Sequence, residues 1–167
     1  MELETLEFQD RLGTSGAGQV GLGALRYDIL TSNLPGRTGG IKHVNDPGVN
    51  AKALAYFLDR DEALGGRLVG KSNHHETGGA IFLLEVLGLD INATNNELRV
   101  ALALYETIRD TGATTRREVQ RVFTVSDYQR PEQVEWKLHG VRTVIESSGA
   151  FNTYEGASRH LGDNGAE

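Results

Sequence analysis

Ala80-Ile81-Phe82-Leu83-Leu84-Glu85-Val86-Leu87, running on through Gly88 to Asn92-Ala93-Thr94-Asn95-Asn96-Glu97-Leu98-Arg99-Val100-Ala101-Leu102, is the stretch on which the fold turns. From Ala80 to Leu87 the residues are apolar on every side apart from Glu85, so the segment must be buried. Its length does not separate a core helix from a central strand. Thr77 before it offers an N-cap and Gly88 a stop, which favours a helix. Thr94-Asn95-Asn96-Glu97 then has the form of a capping box, in which the threonine oxygen accepts from a backbone N–H and the glutamate reaches back. Leu98, Leu102, Tyr105 and Ile108 recur every three to four residues and Gly112 follows. That spacing predicts a helix over residues 95–110.

Toward the C-terminus the same signals continue. Thr115-Arg116-Arg117-Glu118 is a second capping box, opening a helix over residues 115–123 with Val119, Val122 and Phe123 inward. Pro131 suits a first helical turn. Val134, Leu138, Val141 and Ile145 form a stripe along residues 131–147, and Gly149 ends it. Asn152-Thr153-Tyr154-Glu155 starts a short last helix stopped by Gly162, and residues 163–167 fray. Toward the N-terminus, residues 3–8 alternate as a strand would and residues 13–23 read as a flexible loop. Residues 24–30 read as a strand or helical turn, and residues 33–40 and 46–48 as loop and turn. Ala53, Leu54, Phe57 and Leu58 predict a helix over residues 50–59.

The expected fold is therefore α-rich: mainly α, or α+β with a small glycine-rich irregular or β N-terminal part, and a bundle-like C-terminal half. The expected organisation is a glycine-rich region over residues 1–91 with one or two helices, a helical region over 92–162, and a frayed tail over 163–167.

Composition narrows the class. At 167 residues the chain can bury a core without staples. It has no cysteine, hence neither disulfides nor thiolate metal sites. No apolar run approaches the ~20 residues of a membrane helix, and the acidic start Met1-Glu2-Leu3-Glu4 is unlike a signal peptide. The expected location is thus cytoplasmic, or the virion for a viral component. The net charge of −6 supplies no long-range attraction to a polyanion.

Three motifs match on paper. Residues 65–72, Gly-Gly-Arg-Leu-Val-Gly-Lys-Ser, fit the phosphate-loop pattern, but acidic residues 59–62 stand where a buried strand should be and residues 73–79 open a helix poorly. Gly16-Ala17-Gly18-Gln19-Val20-Gly21 fits GxGxxG, but no parallel-sheet alternation surrounds it, and in so glycine-rich a region it reads as a chance match. His74-His75-Glu76 reads as a solvated turn, because adjacent side chains point apart; His43, His139 and His160 could join only through the fold. No nucleophile–base pairing is recognisable. No enzyme activity, cofactor, metal or catalytic residue is expected.

The layout of residues 95–151, two capped helices, a turn and a longer third helix with a glycine exit, resembles a winged helix–turn–helix. The resemblance implies that the third helix enters a DNA groove, with Arg130, Gln133, Lys137 and Arg142 reading bases or gripping phosphate and Arg116, Arg117 and Arg121 beside them. The expected function is DNA binding in regulation. The alternative is a non-enzymatic assembly protein, such as a virion or head–tail connector component, that self-associates. The expected partners are DNA or an assembly, and no membrane.

Overall fold

A computed structural model describes residues 2–167. The chain is dominated by strands: β1 (Glu4–Thr5), β2 (Asp10–Ser15), β3 (Gly39–Asn45), β4 (Ser72–Thr77), β5 (Ala80–Asn92), β6 (Glu97–Ile108), β7 (Thr114–Ser126) and β8 (Thr143–Glu146). Three α-helices accompany them: α1 (Gln19–Leu30), α2 (Ala51–Arg60) and α3 (Tyr154–Ser158). The α-rich expectation is overturned, and so is the winged helix–turn–helix layout. Residues 97–126 form two long antiparallel strands, and of residues 131–147 only Pro131–Gln133 is helical, as a 3-10 turn.

The reason is visible on β6. Its core face carries Leu98, Val100, Leu102 and Leu104, all buried, at a strict period of two. Alanines at 101 and 103 occupy the middle of the opposite face, so that over residues 100–104 no polar residue marks the alternation. Picking out Leu98, Leu102 and Tyr105 from that run makes a helical spacing by skipping two core positions. Neither "capping box" caps a helix: residues 115–118 lie within β7, and residues 94–97 make a hairpin turn and the first residue of β6. Asn92 Oδ1 accepts from the Thr94 and Asn95 amides at the tip of the β5–β6 hairpin. On β7 the inward set is Val119, Arg121, Phe123 and Val125. Of the expected core, Leu138 lies in a turn and is 75% exposed, and Ile108 is 41% exposed at the end of its strand.

The strands form one sheet in the order β4-β5-β6-β7-β3-β2-β8, with β1 added to β7 beyond the end of β3. Neighbours from β7 to β8 are parallel, while β4, β5, β6 and β7 pair antiparallel. Taken in chain order, the parallel strands β2, β3, β7 and β8 lie as third, second, first, fourth. The chain moves outward from β2 through β3 to β7, then crosses back to place β8 on the other flank of β2. One core unites Leu22, Leu25 and Ile29 of α1 and Leu54 and Leu58 of α2 with the sheet. A smaller cluster of Val134, Trp136, Val141 and Ala166 lies beyond β2 and β8. Gly13 of β2 has no room for a side chain, because a Cβ there would stand 2.5 Å from the Trp136 ring.

A buried ion pair ties three elements. Arg121 of β7 and Asp28 of α1, each 2% exposed, lie 2.6 Å apart. Arg121 also donates to Ser32 Oγ and the Ile41 carbonyl, and its guanidinium packs 4.6 Å from the Phe8 ring centre. Asp28 in turn accepts from the Ile41 amide and from Arg37. Both charges are thereby satisfied, as a buried pair requires.

Candidate dinucleotide site

The point where the strand order reverses, between the C-terminal ends of β2 and β8, is where doubly wound sheets leave a crevice. Residues 16–21 form the β2–α1 turn at that point, and each glycine has its own spatial reason. Gly16 has φ +99°, and a Cβ on it would lie 2.6 Å from Ser148 Cα of the β8 exit loop. Gly21, in the first turn of α1, would place a Cβ 2.0 Å from the Gly16 carbonyl oxygen. Gly18 is different. Its φ of −72° suits any residue, and a Cβ there would meet nothing within 4 Å. The open space in front of Gly18 is where another molecule's atoms could approach the backbone. Gly18 is also the N-cap of α1, no side chain caps that end, and no acidic residue stands in the first turn. The α1 N-terminus thus presents backbone N–H groups and the positive end of the helix dipole.

The second strand of the unit, β3, ends at Asn45, and Asp46 follows it. The Asp46 carboxylate accepts the Ala17 amide, and the Asp46 amide bonds to the Ser126 carbonyl at 3.0 Å. An acidic side chain therefore sits beside the glycine turn, held by β2–α1 on one side and β7 on the other. Across the crevice, the Ser147 hydroxyl donates to the Ser15 carbonyl at 2.9 Å, and Thr14 Oγ1 lies 3.3 Å from Ser147 Oγ. The β8 exit loop is thereby clamped onto the end of β2.

The basic residues assigned to a DNA face are dispersed. Arg116 stacks on Tyr105 and bonds to Glu118; Arg117 lies 3.8 Å from Glu4; Arg121 is the buried partner of Asp28. Arg130 precedes the 3-10 turn and Gln133 ends it, with Gln133 Oε1 accepting the Arg130 amide. Lys137 lies in the following turn, and Arg142 faces Glu167. No described α-helix carries them. Residues 65–72 run from the glycine that caps a 3-10 turn into edge strand β4, without the strand–loop–helix context of a phosphate loop. His74, His75 and Glu76 lie on that exposed edge strand.

Sequence reasoning passes over the glycine turn because β2, Asp10–Ser15, has only one large apolar residue, Leu12, and gives no strand signal. Two features could have marked it. One is the helix that GxGxxG opens; the other is an acidic residue, Asp46, some 25 positions after Gly21 and just past the segment that carries Ile41 and Val44. The fold does join two of the histidines. His43, fully buried on β3, stacks on His139 at 3.7 Å and bonds to Thr124 and Ser126. Burial and then the neighbouring His139 push the His43 pKa from 6.5 down to about 3.

A parallel half-sheet in this order, a three-glycine turn opening the first helix and an acidic residue just after the second strand are the arrangement at which doubly wound sheets receive a dinucleotide. The comparisons with known proteins agree. The chain is 28% identical over 151 residues to glyceraldehyde-3-phosphate dehydrogenase 2 of Schizosaccharomyces pombe, covering 90% of this chain and 32% of that protein. It is 27% identical over 153 residues to the glyceraldehyde-3-phosphate dehydrogenase of Mastigamoeba balamuthi, covering 90% and 33%. A chloroplastic glyceraldehyde-3-phosphate dehydrogenase of Arabidopsis thaliana is 26% identical over 151 residues, covering 90% and 26%. The chain thus spans about a third or less of the length of the curated relatives it matches. No family model matches it. These relatives and the sheet overturn the DNA-binding and virion-assembly expectations, and the expectation of a non-enzymatic protein with them: the relatives are dehydrogenases, and the likeness points to an enzyme-like, nucleotide-binding kind of fold. Among the described residues no helix is long and apolar enough to cross a membrane.

Proposed function

We propose that this chain is the NAD-binding part of a dehydrogenase. The observation that carries the reading is Gly18: an α1 N-terminus with neither Cβ nor capping side chain, facing open space at the strand-order reversal. The residues fit the cofactor. The amides at the start of α1 would receive the pyrophosphate, and Asp46 would accept from the adenosine ribose hydroxyls. A 2′-phosphate would meet the Asp46 charge, so NAD is favoured over NADP. When bound, the nicotinamide supplies a hydride acceptor or donor. The chain's own contribution is to bind that cofactor and orient it along the crevice. The relatives are named for glyceraldehyde 3-phosphate, which makes an aldehyde the first substrate to test. Hydride can leave an aldehyde carbon readily only after a nucleophile has added to it, and this chain has no cysteine.

The test is calorimetric titration of the wild-type protein with NAD and NADP, beside Gly18→Val. Saturable NAD binding, at least tenfold weaker in Gly18→Val at unchanged thermal stability, is expected. Equal binding by both proteins, or none by the wild type, refutes the reading.

A further inference from the structure

The wall of the crevice opposite the glycine turn is the β8 exit, Glu146-Ser147-Ser148, and its position depends on a line of hydrogen bonds that reaches back into the small Trp136 cluster. The Trp136 Nε1–H, fully buried, faces His160 Nδ1 at 3.2 Å. An indole nitrogen can only donate, so Nδ1 must be the unprotonated nitrogen of the ring. The proton is therefore on Nε2, which donates to Glu146 Oε2 at 2.7 Å. The other carboxylate oxygen, Oε1, accepts the Ser148 backbone amide at 2.7 Å and also the Ser148 hydroxyl. Ser148 is the residue whose backbone abuts Gly16. Every proton along this line has a fixed direction: from indole to imidazole, from imidazole to carboxylate, from loop amide to carboxylate.

We infer that Glu146 is a positioning residue for the bound dinucleotide, holding the Ser147–Ser148 wall against Gly16, and that its own orientation is set by His160 locked in the Nε2–H form by Trp136. The inference rests on the cofactor-binding reading and adds a residue to it. Glu146 touches no cofactor atom; it acts through Ser148. Burial favours the protonated carboxyl, but hydrogen bonds from Ser148 and His160 outweigh burial and hold Glu146 below the usual carboxylate range. The ionised form is the one the line requires, because only an acceptor-only carboxylate can serve both donors. Glu146→Gln cannot. If its amide oxygen faces Ser148, its NH2 faces His160, which must move its proton to Nδ1 and collide with the Trp136 N–H. If the amide turns around, Ser148 loses its acceptor and the wall is released.

The fixed proton order makes a compensating variant possible. Removing the indole donor with Trp136→Phe lets His160 take the Nδ1–H form. In the double variant Nε2 then accepts from the introduced side-chain amide, and the wall is restored. The experiment measures NAD affinity of wild type, Glu146→Gln and Glu146→Gln/Trp136→Phe, with thermal stability recorded for each. Nitrogen-15 NMR of the wild type reports the His160 ring form. Expected are Nε2-protonated neutral His160 in the wild type, roughly tenfold weaker NAD binding in Glu146→Gln, as the loss of one charge-assisted bond implies, and recovery of most of that loss in the double variant despite its lower stability. A role in stability alone would instead order affinity as stability, with the double variant weakest. An Nδ1-protonated His160 in the wild type, undiminished binding in Glu146→Gln, or no recovery in the double variant each overturns the inference while wild-type binding leaves the cofactor reading standing. Absence of wild-type NAD binding overturns both. Should Glu146→Gln fail to fold, Glu146→Asp replaces it: its shortened carboxylate reaches one donor but not both, and undiminished NAD binding there is equally fatal.

Discussion

Two glycines of the same turn, Gly18 and Gly21, respond to substitution in opposite ways. A methyl group at Gly21 would collide with the Gly16 carbonyl, so Gly21→Ala must push α1 off the turn and should cost about 1–3 kcal/mol in urea unfolding. Gly18→Ala meets no atom and has an ordinary backbone φ, so its stability should stay within about 1 kcal/mol of wild type while cofactor affinity falls. His43 is the residue whose chemistry depends most on pH. Its folded pKa, near 3, lies below the 6.5 of the unfolded chain. Between these values the unfolded state binds the extra proton, so stability is full above pH 6.5 and drains as pH falls, at about 1.4 kcal/mol per pH unit. Burial lowers the His139 pKa in the same direction. Between pH 6.5 and 5, before most carboxylates titrate, wild type should lose about 2 kcal/mol more than His43→Gln, as measured by urea midpoints at fixed slope. These residue-level properties are illegible in the sequence, because GxGxxG and five scattered histidines acquire meaning only from what the fold sets beside them.

Among the elements, α2 is readable from sequence and β6 is not, for a single reason. On α2 the polar residues Lys52 and Arg60 share the helix with buried Leu54, Ala55 and Leu58, so the helical period has contrast. On β6 the two off-face positions at the centre, Ala101 and Ala103, are alanine, and there the period of two loses its polar marker. The start of α2 also depends on the hairpin that sequence reasoning turns into a helix cap. Asn96, at φ +49°, accepts the Ala51 amide with Oδ1 at 2.8 Å and donates through Nδ2 to the Val125 carbonyl at 2.8 Å. It pins the β5–β6 turn to both α2 and β7. Asn96→Gly loses both bonds but keeps the backbone at ease; Asn96→Ala loses the bonds and adds the left-handed strain. Alanine should therefore be the less stable of the two by about 0.5–1 kcal/mol, and both should fall below wild type, in chemical denaturation.

The whole molecule is one sheet woven from both halves of the chain, and a cut at residue 91 would fall at the end of β5 and separate it from β6, with which it makes the most extensive strand pairing. Fragments 1–91 and 92–167 should each lack cooperative unfolding by circular dichroism, and mixing them should restore part of the β signal. The reading of the C-terminal half as helical fails at this scale, because strand partners far apart in sequence leave no local trace. The pairing of β2 with β8 has a further consequence, for the order of events in time. Thr14 bonds to Ile145 across 131 residues of chain, and the two walls of the crevice belong to those same strands. Closing so long a loop is entropically expensive and slow, and it rewards the chain only when nearly everything else is in place. The crevice is then among the last features to form as the protein folds. A dinucleotide should leave the refolding rate untouched while slowing unfolding, so that it guards a finished molecule and does nothing to hasten one still being made.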